Sequence, residues 1–151
     1  MSESLTIEFV GDVPSKKNSR ITLRSGRSIP GKKYQQWHEY AIFQIKSTVN
    51  RRPNIRLFEK KPMSQNIAIT FYMGTRRRTD IDNKISSILD TLVDAGVLED
   101  DDWTHVPSIT ARAIYRKGES GATVTITPLE NCGVSQHPKS NQEACYNSDK
   151  K

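Results

Sequence analysis

Residues 76–106, RRRTDIDNKISSILDTLVDAGVLEDDDWTHV, constrain the fold more than any other stretch. Ile81, Ile85, Ile88, Leu89, Leu92 and Val93 recur three, four and seven apart, the stripe of an amphipathic helix with one face to bury. Asp80 and Asp82 open this helix, and a run from Glu99 to Asp102 follows the chain's return through Gly96. A packed helix is a rigid mount that holds the first carboxylates while the chain comes back with a second set. The strong signals elsewhere include several strands, so the expected class is α/β in the α+β sense, a small mixed sheet with two main helices.

The rest of the chain reads in order. Leu5, Ile7 and Phe9 alternate with polar residues in a first strand over 5–10. The loop 13–20, VPSKKNSR, combines Lys16, Lys17 and Arg20 with Ser15, Asn18 and Ser19. It suits phosphate contacts and suits a solvated basic turn equally well. Residues 21–29 predict a small hairpin around Ser25-Gly26, and Pro30-Gly31 precedes a helix over 32–49. Tyr34, Trp37, Ala41, Ile42, Ile45 and Val49 lie largely on one side of that helix as core, and its His38 is structural. Residues 50–64 form a basic, proline-broken connector that either touches nucleic acid or only links. Strands are expected over 66–73, 106–115 and 121–128, the last two joined by a turn at Lys117-Gly118. Residues 1–129 thus form one domain, and the polar tail 130–151 is expected to be disordered. Cys132 and Cys145 sit in that tail without CxxC spacing and read as free thiols.

The formal charge is +6. In the tail Glu130, Glu143 and Asp149 balance Lys139, Lys150 and Lys151, so the whole excess belongs to residues 1–129, which also carry the acidic run. The surface outside that run favours a polyanionic partner. No apolar run approaches the ~20 residues of a membrane span, and the N-terminus lacks a signal peptide's apolar stretch. The expected location is cytoplasmic, with no membrane partner.

Carboxylates two apart, joined by a later acid, suit a hard divalent cation, which takes oxygen ligands, keeps waters and shares substrate phosphate. Asp100, Asp101 and Asp102 are each able to close such a site. Other uses of the same residues exist: Thr79-x-x-Asp82 is also a capping box, Asp80 favours the helix macrodipole, and Asp100 to Asp102 also suit a polar turn. The combination points further than any piece. Arginines before, acids after and a basic remainder give a nuclease's layout, cations on phosphates and carboxylates on metal.

At these residues the chain resembles the RusA family of Holliday-junction resolvases. The resemblance rests on an arginine-rich lead into D-x-D-N (Asp80, Asp82, Asn83), on Asp90 followed by Leu92, and on Gly96, Val97, Leu98, Asp100 and Asp101. Pro14-Ser15 with Asn18 and Arg20 resembles the family's N-terminal loop. The match is close over about thirty central residues and looser from Leu5 to Leu129. It implies a homodimeric, magnesium-dependent endonuclease, manganese substituting, that nicks four-way DNA junctions symmetrically in recombination and repair. It places the catalytic and metal-holding carboxylates on Asp80, Asp82 and Asp101. The cations expected to grip DNA are Lys16, Lys17, Arg20, Arg76, Arg77, Arg78 and Lys84, with Asn18 beside them. One departure stands out: where the family commonly has a catalytic lysine, four residues after the second aspartate, this chain has Ser86. Lys84 is two residues earlier, about 200° round an ideal helix, and is expected to point elsewhere. Asp90 is read as structural pairing, and His105 as a residue at the surface or at the start of a strand. The alternatives are a branched-DNA-binding protein with weak or no cleavage, a flap or single-strand nuclease, and a basic scaffold whose acids only cap helices.

Overall fold

The computed structural model describes residues 4–18, 20–51 and 64–129. Its elements are β1 (Leu5–Val10), β2 (Arg20–Thr22), β3 (Ser28–Pro30), α1 (Lys32–Asn50), β4 (Ser64–Met73), α2 (Ile81–Asp94), β5 (Ser108–Tyr115) and β6 (Gly121–Leu129). Most of the connector, residues 52–63, and the tail from Glu130 with both cysteines lie outside the described residues. The class is the expected α+β.

Four strands form one mixed sheet in the order β1-β6-β4-β5, and β2 pairs with β3 in a separate hairpin. β6 runs antiparallel to both neighbours, setting Ile126 opposite Leu5 and Val124 opposite Ile69. β4 and β5 are parallel, with Ile69 opposite Ala111. A parallel pair needs a crossover, and α2 supplies it. The turn expected at 117–118 is present, yet the strands it joins are not neighbours. β4 lies between them, and the connection is pinned to its end, Arg116 N–H donating to the Met73 carbonyl (2.9 Å) and Gly118 N–H to that of Gly74 (3.0 Å).

Strand alternation and helix periodicity meet in one core. Leu5, Ile7 and Phe9 of β1, Ile67, Ile69 and Phe71 of β4 and Ala122, Val124 and Ile126 of β6 are buried. Against them pack Tyr34, Trp37, Ala41 and Ile45 of α1 and Ile88, Leu89 and Leu92 of α2. β5, at the sheet's edge, is exposed along nearly its whole length.

The buried face of α2 is rotated from the one its isoleucines predict. Ile81 is exposed and Ile85 half-buried, whereas Lys84, Ser87 and Thr91 are buried. The cause is the loop after β1, which lies across this side of the helix. The Lys84 ammonium donates to Asp12 Oδ1 (2.8 Å) and to the Val13 carbonyl (2.7 Å). The Ser87 hydroxyl donates to the Pro14 carbonyl (2.7 Å) and accepts the Lys16 N–H (3.2 Å). At its other end α2 closes on Gly96, whose φ of +83° suits glycine. Gly96 N–H reaches the Val93 carbonyl (3.0 Å) and Val97 N–H that of Leu92 (2.9 Å), a Schellman ending. Val97 and Leu98 then enter the core and launch the acidic loop.

Replacing Ser87 leaves a buried carbonyl and an N–H without partners. Ser87→Ala is expected to lower the unfolding free energy by about 1–3 kcal/mol. Ser86→Ala, one step round the helix, should change it by less than about 0.5 kcal/mol. Urea titrations of the two variants beside wild type check the contrast.

Candidate active site

A cavity of about 620 Å³ opens where the β1–β2 loop, the start of α1 and the approach to α2 meet. Its walls include Asp12, Ser15 and Asn18 from the loop, Lys33 from α1, and Arg77, Arg78, Asp80, Asn83 and Lys84. Asp80, not Thr79, is the N-cap of α2, in extended geometry (φ −81°, ψ 120°), and its carboxylate makes no capping hydrogen bond. The capping-box reading of Thr79 and Asp82 is therefore not what forms. Asp80 is an exposed carboxylate beside a cationic cavity, and Asp82 is exposed in the first helical turn.

The acidic loop is held elsewhere. Asp101 lies near enough to Asp90 to feel its charge. Asp90 is eight residues beyond Asp82, about 12 Å along a helix axis. Among the described residues no three His, Cys, Asp or Glu side chains stand together as a group able to hold a metal. Asp80, Asp82 and Asp101 are thus not gathered round one point within the protomer.

Desolvation first, then the hydrogen bond and like charge of Asp100 and the charge of Asp90, push the Asp101 carboxyl above its ordinary range. Asp102 moves the other way. Its Oδ1 accepts from the hydroxyl and N–H of Thr104 and from His105, whose N–H and ring Nδ1 stand at 3.1 and 2.8 Å. These bonds hold its carboxyl well below the usual carboxylate range. His105 Nε2 lies 3.7 Å from Glu99, so the histidine braces the loop between two acids.

The expected DNA-gripping cations divide into two sets. Lys17 is exposed, and Arg77, Arg78 and Asn18 line the cavity. Lys84 needs correcting: at 4% exposure, with its ammonium bound to Asp12 and Val13, it is a buried brace and not a surface cation. Lys16 is half-buried and pairs with Asp90 at 3.3 Å, the structural pairing expected of that aspartate. Arg20 closes its hairpin on Ser28, and Arg76 lies over the Tyr115 ring, 4.2 Å from its centroid. His38 is structural, between Thr91 and Asp94 at 3.0 Å each.

Residues 11–127 match the family described as Endodeoxyribonuclease RusA. The chain belongs to the RusA family. It is also 26% identical over 135 residues to the crossover junction endodeoxyribonuclease RusA of Aquifex aeolicus (strain VF5), spanning 87% of this chain and 98% of that protein. The match takes in the whole cavity wall and the acidic loop, so the central aspartates and the loop that faces α2 are parts of the RusA domain itself.

Two members of this RusA site escape a reading of the sequence. Asp12 looks like a turn residue in a cationic loop, and only the fold sets it against Lys84. Lys33, in the first turn of α1, joins the cavity wall only once the fold sets α1 beside the loop.

The Asp102 shift gives a pH test in metal-free buffer. Because its folded pKa is depressed, its contribution to stability is present above the unfolded value near ~4 and is lost as the pH falls. Asp102→Ala should therefore melt below wild type at pH 7, with the gap closing below about pH 4. Thermal melts across that range in the presence of a chelator read the outcome.

Proposed function

We propose that this chain is a magnesium-dependent endodeoxyribonuclease, acting as a homodimer, that nicks four-way DNA junctions in recombination and repair. The observation that carries this reading is the Asp80 carboxylate, left out of the local capping bond and set beside Arg77 and Arg78 on the cavity wall. A carboxylate so placed is free to serve a ligand, and its cationic neighbours suit a phosphate. Membership of an endodeoxyribonuclease family supports the reaction, and the name of the Aquifex relative supports the substrate.

In this reading Asp80 and Asp82 hold magnesium, and Asp101 is the third carboxylate. A set of one or two carboxylates completed by substrate phosphate is what magnesium accepts, so the exposed pair fits the ion without a third ligand from the same protomer. When bound, the ion lowers the pKa of a water and offsets charge on the scissile phosphate. Manganese substitutes for it. Lys17, Asn18, Arg77 and Arg78 bind the DNA backbone and orient it over the carboxylates. Lys84 and Lys16 keep the loop that carries Asn18 in place. β5 supports the homodimer: among the described residues no strand pairs with its outer edge, and Ile109, Ile114 and Tyr115 are exposed along the strand. A two-fold dimer presents equivalent sites to the equivalent strands of a junction.

A second reading, junction binding without cleavage, is favoured because no three acidic or other ligating side chains among the described residues stand together as a metal-holding group. Nicking assays on a synthetic four-way junction, a flap and a plain duplex separate the readings. Asp80→Asn and Asp82→Asn are expected to slow junction nicking by at least about 100-fold, roughly 3 kcal/mol of barrier, while binding persists. Equal rates for Asp82→Asn and wild type would remove the site assignment. Tight binding without nicking in either magnesium or manganese would establish the second reading, and preference for the flap would change the substrate.

A further inference from the structure

The chain has two tryptophans in opposite surroundings. Trp37 is 9% exposed and packs with Phe9 and Tyr34 in the core, whereas Trp103, in the acidic loop, is 68% exposed. An indole left in water forgoes burial of about 150–250 Å². A loose loop is not the cause. The Asp102 carboxylate accepts the N–H groups of Thr104 (2.9 Å) and His105 (3.1 Å), and the Asp102 carbonyl accepts that of Val106 (2.8 Å). The His105 carbonyl in turn accepts Gln65 N–H from β4 (2.8 Å), which fastens the turn to the sheet. The ring is therefore displayed on a pre-formed mount, and an ordered mount reduces the entropy lost when a partner covers it.

We propose that Trp103 stacks on an unpaired base where the strands of the branched substrate part, an inference that rests on the nuclease reading above. The charge round the ring selects this occupant. Glu99 and Asp100 precede it closely, and these carboxylates, which the reading above leaves without magnesium, repel the phosphates of an intact duplex. An unstacked base offers its uncharged face instead, and aromatic rings stack on any base. A second copy of the chain fits poorly. A two-fold contact centred on Trp103 would bring its carboxylates against their own images, and like charges so placed repel. Trp103 thus reads the opened branch point and not the base sequence.

The test uses the full chain, with calcium in place of magnesium, and a synthetic four-way junction carrying 2-aminopurine either at the branch point or within an arm. Wild type should quench the branch probe and leave the arm probe unchanged. Trp103→Ala should lose that quench and bind the junction about 5- to 100-fold more weakly, with duplex binding changed less than about twofold. Trp103→Phe should restore most of both effects. Trp37 emission, then the sole tryptophan signal, reports that Trp103→Ala is folded. The proposal is overturned if Trp103→Ala binds the junction as tightly as wild type, weakens junction and duplex alike, or shifts the oligomeric mass in light scattering. If wild type nicks the junction yet its branch quench survives in Trp103→Ala, this inference alone fails. If wild type binds no junction at all, the nuclease reading fails with it.

Discussion

The laying of the β1–β2 loop across α2 is the constraint on which the site depends. A loop pressed onto a helix carries backbone groups away from water, and each needs a partner. Here three are answered by two side chains of one helix: Lys84 takes the Val13 carbonyl, and Ser87 takes the Pro14 carbonyl and the Lys16 N–H. An apolar side chain at either position would fill the space and leave those groups unpaired. Burying an ammonium is costly, and the cost is offset because Asp12 brings an opposite charge to 2.8 Å while remaining partly in water. One cavity wall follows directly, since the loop that Lys84 and Ser87 fasten is the loop that carries Ser15 and Asn18.

This arrangement also sorts the charges. Two of the expected DNA-gripping cations, Lys84 and Lys16, are committed to Asp12 and Asp90, pairs that leave the formal excess of +6 unchanged. Arg76 and Arg116 lie over tyrosine rings of β5 and β4. Arg77 and Arg78 are exposed and line the cavity with Lys33 and the exposed Asp80, and Lys17 is exposed on the β1–β2 loop.

Much of the fold is legible in the sequence because alternation and helical spacing are local properties. LTIEFV is a strand and the stretch after Arg78 is a helix on those grounds alone. What fails is anything decided by a distant partner. The isoleucine stripe misplaces the buried face of α2, since nothing local says that a loop some seventy residues earlier will cover Lys84 and Ser87. The turn at Lys117-Gly118 suggests a hairpin, yet β4 offers both its edges and separates the two strands. The carboxylate motif is legible as a motif, and the family follows from it. The assembly of its members is not, since among the described residues no three of these side chains stand together as a metal-holding group.

Among the three adjacent aspartates of the acidic loop, the hydrogen bonds divide the labour. Asp102 Oδ1 is spent on the loop's own shape, gathering donors from Thr104 and His105. Asp100 accepts the N–H of Asp101 at 2.8 Å, and the two carboxylates crowd each other. The Asp101 carboxyl is pushed up by desolvation first, and the hydrogen bond and charge of Asp100 and the charge of Asp90 add to it. The loop is therefore braced by one acid while Asp100 and Asp101 beside it stay exposed.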